Sequence, residues 1–179
     1  MTEAMENFIY DIPTKVYFGK GQLNQLADIV QVYGQRVLLV YGGGSIQRNG
    51  IYDAAVAQLK KAGKKYTELS GVEPNPSIHT VEKGVMLCQR EQIDMLVAIG
   101  GGSAIDCAKV ISAAACSTRH PWELVTHPEE IQRALPVIAV LTIAATGSEM
   151  DHIAVITNPQ TKEKIGTRHP LLRPKAAIL

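Results

Sequence analysis

Three short runs of small hydrogen-bonding residues have the types and spacing for chemistry: Gly42-Gly43-Gly44-Ser45, Gly100-Gly101-Gly102-Ser103, and Thr142 followed by Thr146-Gly147-Ser148-Glu149. Each follows directly on an apolar run. Glycine lets a ligand approach the main chain where a β-carbon would collide, and a helix starting just beyond offers unpaired N–H groups at its positive dipole end. That combination suits an anion, a phosphate above all. At residues 100–103 the pattern is complete. The run Leu96-Val97-Ala98-Ile99 reads as a strand, and Asp106 and Lys109 fall in the helical stretch that follows. The same residues also fit a plain strand-to-helix turn, with Ser103 as cap and Asp106 as its capping-box-like partner. The two readings are compatible, because a cap orders the very N–H groups that would hold a phosphate. Recurrence at three strand ends favours an anionic-ligand site.

Two familiar nucleotide loops are excluded by spacing. No G-x-x-x-x-G-K-[ST] occurs, and G-x-G-x-x-G fails because Gln47 and Ile105 stand where its third glycine belongs. Pattern alone therefore leaves a dinucleotide and a sugar phosphate both open.

These loops need strands and helices to hold them. The apolar run 36–41 reads as a parallel strand covered on both faces, 94–99 as a buried strand, and 15–18, 65–69 and 136–141 as further strands. Between them, helical spacing predicts helices over 22–33, from Ile51 to Gly63, from Ser77 (as N-cap) through Cys88, and over 105–115. Gly34 and Gly63 read as helix stops, and 120–132 as an irregular excursion. Strands alternating with helices predict right-handed βαβ units and a parallel sheet. Past Glu149 the rhythm changes: 154–157 and 162–165 flank Asn158-Pro159-Gln160-Thr161, which predicts a hairpin. The run 175–179 reads as a further strand beginning, and so as a domain boundary.

The bulk numbers bound the rest. At 179 residues and 46% hydrophobic the chain fits one domain, and 18 Lys plus Arg against 17 Asp plus Glu give a net charge of +1. No nucleic acid is expected as partner without a basic stripe, and no membrane without a long apolar run. Cys88, Cys107 and Cys116 form no C-x-x-C pair, which argues against a disulfide framework and for a cytoplasmic setting. The cysteines, Met86 and Met95 read as core, and Lys60-Lys61 with Lys64-Lys65 as a solvated helix end. His79, His120, His127, His152 and His169 are scattered, make no H-x-x-x-H pair, and read as exposed polar residues.

Tyr41-Gly42-Gly43-Gly44-Ser45-Ile46, Gly71-Val72-Glu73-Pro74-Asn75-Pro76, Gly100-Gly101-Gly102-Ser103 with Asp106 and Lys109, and Leu141-Thr142 with Ala145-Thr146-Gly147-Ser148-Glu149 occur in this order. Together they resemble the iron-containing (group III) alcohol dehydrogenases, particularly the NADP-preferring aldehyde reductase and butanol dehydrogenase branch. The resemblance implies a dehydroquinate-synthase-like α/β fold, a Rossmann-like parallel sheet flanked by helices, with 1–179 as its dinucleotide-binding domain. It implies Gly42, Gly43, Gly44 and Ser45 near the adenosine ribose with Asn75 close by, and Gly101, Gly102 and Ser103 at the pyrophosphate. It further implies Asp106 as a cofactor neighbour besides its role as a cap, Thr142, Thr146, Asp151 and Lys164 as lining the cleft, and Lys164 as bonding the nicotinamide ribose. The implied reaction is reversible hydride transfer between NAD(P)H and an aldehyde or primary alcohol, in a homodimer. Iron or zinc is expected only in a longer protein, held by an Asp-x-x-x-His pair and two further histidines in a helical domain beyond residue 179. The 179 residues alone are expected to be inactive. The alternative is a non-catalytic nucleotide-binding module acting with a partner chain. One detail has its own physics. NAD-preferring relatives carry an acid after the first strand for the ribose 2′-OH, whereas Gly42-Gly43-Gly44 leaves room for a 2′-phosphate without repulsion. NADP is favoured over NAD.

Overall fold

The computed structural model describes residues 12–179. Strand β1 (Lys15–Tyr17) leads through Gly21 into a 3-10 turn (Gln22–Gln25) and the short helix α1 (Leu26–Val30). The single helix expected over 22–33 is thus broken. The tighter 3-10 turn already brings Leu23 onto the core that Leu26 and Val30 complete, and the chain then turns away with Val32 exposed. Gly34 is no helix stop of the left-handed kind. A β-carbon there would lie 2.2 Å from Asp94 Oδ1. The Asp94 carboxylate accepts the N–H groups of Gln35 (2.9 Å) and Arg36 (2.8 Å), so the glycine makes room for that clamp.

Strand β2 (Arg36–Tyr41), helix α2 (Ser45–Arg48), helix α3 (Ile51–Lys61) and strand β3 (Lys65–Leu69) follow. Lys64 is not solvated as expected: it is 5% exposed, and its Nζ donates to the Gly34 carbonyl at 2.6 Å. Ser77 caps helix α4 (Ile78–Glu91), its Oγ accepting the Thr80 N–H at 3.3 Å. Met86, expected in the core, faces outward from this helix. Strand β4 (Met95–Gly100) runs into helix α5 (Gly102–Ala114). The stretch expected to be irregular contains helix α6 (Pro121–Thr126) and a 3-10 turn (Pro128–Glu130). Pro121 opens α6, the His120 ring accepts the Trp122 N–H, and Leu124 and Val125 are buried. Six residues are too few for helical periodicity to show. Strand β5 (Val137–Leu141), the antiparallel hairpin β6 (Ile153–Asn158) and β7 (Glu163–Arg168), a 3-10 turn (Pro170–Leu172) and strand β8 (Ala176–Ile178) complete the chain.

Six strands form one parallel sheet in the order β1-β8-β5-β4-β2-β3. Its centre is apolar on both faces. Leu38, Val40, Leu96 and Ala98 pack toward α4 and α5, while Val37, Leu39, Met95, Val97 and Ile99 pack toward α1 and α3. This explains why β2 and β4 read as unbroken apolar runs. The chain leaves β2 toward β3 on one side, then continues from β4 toward β5 on the other. The carboxyl ends of β2 and β4 therefore flank the topological switch point, where open α/β sheets offer a crevice. Among the described residues no helix is long and apolar enough to cross a membrane.

Candidate functional site

The glycine runs meet at that switch point. Gly42, Gly43 and Ser45 from the end of β2 face Gly101, Gly102 and Ser103 from the end of β4 across a crevice of about 360 Å³, with Thr142 from the end of β5 also on its wall. Gly44 stands just behind, at the start of α2. The β4 turn is sharp. Gly100 has φ +153°, and a β-carbon on it would come within 3.0 Å of Ala104 Cβ. Gly101 then ends the extended backbone and α5 begins at once. No side chain caps this helix, which corrects the expectation for Ser103 and Asp106. Its first N–H groups, on Gly102 and Ser103, are left pointing into the crevice end of the helix, as the first turn of any α-helix requires. A β-carbon at Gly102 would have the Thr146 hydroxyl at 3.3 Å and Ser148 Cβ at 3.9 Å. The opening is thus kept by the absence of side chains.

A second cleft of about 480 Å³ continues from Gly102 and Ser103. Asn75, Asp106, Thr146, Asp151 and Lys164 line it, so the structure brings the remaining expected residues to one place. Asn75 sits in the left-handed region (φ +58°), on a loop held by Glu73, whose carboxylate accepts the Ser77 N–H (3.1 Å) and the Thr80 hydroxyl (2.9 Å). Burial would raise the Glu73 carboxyl, but those hydrogen bonds hold it below the usual carboxylate range. Lys164 reaches from the hairpin and donates to Asn75 Oδ1 at 2.7 Å, closing one side of the cleft.

Behind the opposite wall lies a polar cluster. Asp106 accepts the Ser148 hydroxyl (2.5 Å) and the Val155 N–H (3.0 Å), tying α5 to the loop after β5 and to the hairpin. Burial pushes its carboxyl up, against the pull of those donors and of Lys109. Lys109, three residues on, is wholly buried. Its Nζ donates to Asp151 Oδ1 (2.7 Å), the Ile153 carbonyl (2.8 Å) and Ser148 Oγ (2.9 Å). Burial lowers the Lys109 pKa, while Asp151 opposes that shift. Sequence reasoning assigned no site role to Lys109 or Ser148. The available signal was a lone lysine within the apolar run of 105–115.

The crevice end beside Gly42 carries no free carboxylate from the neighbouring strand. Glu68 on β3 accepts the hydroxyls of both Tyr41 and Tyr52. Burial, then the Glu68 carboxylate, pushes the Tyr41 hydroxyl up to about 12.

Among the histidines, His79, His120 and His127 are exposed as expected, but His152 and His169 are half-buried. His169 accepts the Leu171 N–H, and Arg173 donates to His152 Nδ1 at 2.7 Å. Burial, then the nearby Arg173 and Arg168, lowers the His152 pKa. The unfolded chain therefore takes up this proton at a higher pH than the folded one. Stability falls as pH drops below about 6.5, the ordinary imidazole value. In His152→Gln the loss of Tm between about pH 7.5 and 5.5 is expected to shrink, as read by thermal melts at both pH values. An unchanged slope would show that this imidazole does not contribute.

Known proteins are similar to this chain in sequence and in fold. The chain is 53% identical over 175 residues to the NADH-dependent butanol dehydrogenase A of Clostridium acetobutylicum, covering 98% of this chain and 45% of that protein. It is 38% identical over 178 residues to the NADPH-dependent aldehyde reductase YqhD of Escherichia coli, again covering 98% of this chain and 45% of the other. The crystal structure of the NADH-dependent butanol dehydrogenase A of Thermotoga maritima superposes with a TM-score of 0.91 at 42% identity, covering 97% of this chain and 44% of that one. The chain thus spans about half the length of the curated relatives it matches. Residues 13–179 match the family described as iron-containing alcohol dehydrogenase, and the chain belongs to that family.

Proposed function

We propose that this chain binds a nicotinamide dinucleotide along the crevice and holds it for reversible hydride transfer between NAD(P)H and an aldehyde or primary alcohol. The observation that carries the reading is the pairing of two glycine-rich strand ends, 42–45 and 100–103, across one switch point. The cleft running on toward Lys164 and Asn75 shares Gly102 and Ser103 with the crevice, so the two are continuous. The adenosine half lies against 42–45, the pyrophosphate takes the Gly102 and Ser103 amides, and the nicotinamide half lies beside Asp151 and Lys164. Lys164 donates to the nicotinamide ribose in place of its bond to Asn75. Hydride chemistry is the cofactor's own; the chain binds and orients it. The proposal extends to a cytoplasmic homodimer with 1–179 as its dinucleotide domain.

Iron, which the family name implies, finds no fit here. Among the described residues no group of three or more His, Cys, Asp or Glu is placed to hold a metal ion. The imidazoles of His79 and His120 flank the surface carboxylate of Glu82, and His152 and His169 are engaged as described. No step is assigned to a metal on these residues, and the chain by itself is expected to bind cofactor without turnover.

Titration with NADPH and NADH, followed by nicotinamide fluorescence, tests the reading. Saturable binding is expected, tighter for NADPH, because Gly42–Ser45 sets no carboxylate against a 2′-phosphate and Glu68 is occupied by two tyrosines. The relatives named as NADH-dependent support the opposite order. Tighter NADH binding would reverse the preference and leave the dinucleotide reading standing, whereas no binding of either would end it. Aldehyde reduction by the 179-residue chain with added ferrous or zinc ion would overturn the expected inactivity. Nucleotide binding restored to turnover only by a second chain would favour the module reading, which the missing donor group supports.

A further inference from the structure

Among the described residues Lys109 is the largest side chain with no exposure at all, and it carries a charge. An ammonium has three N–H donors. All three are taken, by Ser148 Oγ, Asp151 Oδ1 and the Ile153 carbonyl, at 2.7–2.9 Å. These acceptors lie within six residues of one another, on the segment after β5 and the first residue of the hairpin. Ser148, Asp151 and Ile153 line the 480 Å³ cleft, while Lys109 does not. Its donors are spent, so it has none to give a ligand. Just upstream, residues 142–146 are exposed. An apolar residue of similar length would fill the same space without the cost of desolvating a charge. What an apolar residue lacks is a way to fix three points of a loop from beneath.

We propose, resting on the dinucleotide reading, that Lys109 is a positioning residue that sets the cleft wall formed by Ser148, Asp151 and Ile153 against the nicotinamide half of the cofactor. It leaves the adenosine half untouched, because Gly42, Gly43, Ser45, Val72 and Pro74 border the other crevice, which Ser148, Asp151 and Ile153 do not line. Ser148 passes the constraint on to Asp106, and Asp106 to the Val155 N–H, so helix, loop and hairpin hold one geometry.

The test compares whole dinucleotides with fragments lacking the nicotinamide nucleoside. The full 179-residue chain and its Lys109→Met variant are titrated with NADPH, NADH, 2′-phospho-ADP and ADP. The variant is expected to weaken both dinucleotides about tenfold or more and both fragments less than about twofold, the size of effect seen when a supporting residue behind a site is lost. A purely structural role lowers the folded fraction and weakens all four ligands equally, which would overturn the proposal, as would no weakening. If Lys109→Met does not fold, Lys109→Gln, which keeps donors toward Ser148 and Asp151, is read by the same ratio. Should the unaltered chain bind none of the four, the dinucleotide reading fails. Should it bind them while the ratio stays flat in the variant, only the role of Lys109 fails.

Discussion

A chain carrying Gly102→Asp loses about 100-fold in NADPH affinity and nothing in Tm. The expected loss follows from what opens α5. In the proposed complex two amides at the helix start meet the pyrophosphate, and hydrogen bonds to a charged group are worth about 1.5–3 kcal/mol each. Removing about 3 kcal/mol is a factor of about 100 in affinity. A carboxylate at 102 competes for the same amides, repels the phosphates and puts a side chain into the crevice. The fold has the opposite interest. An acid in the first turn suits the helix dipole by about 0.3–1 kcal/mol, and Asp is the better helix former of the two. The new β-carbon meets the hydroxyl of exposed Thr146 at 3.3 Å and touches Ser148 Cβ at an ordinary 3.9 Å. Binding and stability therefore move apart, and a ligand titration beside a thermal melt separates them. An unchanged affinity would mean that no phosphate sits at this helix. A collapse in Tm would mean that the glycine serves the fold. Gly102→Ala, with the β-carbon but no charge, should fall between.

The second large effect is on stability. Gly84 lies in α4 where that helix crosses α5. A β-carbon there would come within 2.3 Å of Ile111 Cδ1, 2.8 Å of Ile111 Cγ1 and 3.1 Å of Leu69 Cδ2. All these neighbours are buried, so they have little room to yield. Glycine inside a helix ordinarily costs about 1 kcal/mol relative to alanine, so its presence here reflects the close approach. Gly84→Val is expected to destabilise by about 2–4 kcal/mol through overpacking, or roughly 5–10 °C in Tm at this chain length. Ile111→Val removes the nearest of the clashing atoms. Added to Gly84→Ala, it should recover part of that variant's loss, and a double-mutant cycle measures the coupling. Simple additivity would show that the two helices relax apart instead. The site depends on this contact because α5 carries Gly102, Asp106 and Lys109 on one rigid body.

How much of this was legible beforehand depended on the range of each interaction. Strands β2 and β3 have the expected bounds because each is bracketed by turn residues within the same few positions. The hairpin and the Ser77 cap were likewise local signals. The glycine runs announced a side-chain-free rim, and Asn75, Thr146, Asp151 and Lys164 do line one cleft. Local patterns misled where a distant partner decided. Ser103 and Asp106 have the spacing of a cap, but Asp106 is drawn away by Ser148 and Val155, more than forty residues on. Gly34 looked like a helix stop, but the Asp94 carboxylate fills the place of its β-carbon. Lys64 looked solvated, but the Gly34 carbonyl takes its ammonium.

By itself the sequence determined the alternation of strand and helix, the parallel sheet, and the three loops that leave the backbone bare, because periodicity and glycine act on neighbours along the chain. Only the tertiary structure decided which of those loops face each other and which charges are buried. Lys109, Asp106, Ser148 and Asp151 find one another only after α5 docks against the segment leading to the hairpin. A buried charge is tolerated only where its partners converge, and that convergence is a property of packing that no stretch of sequence contains.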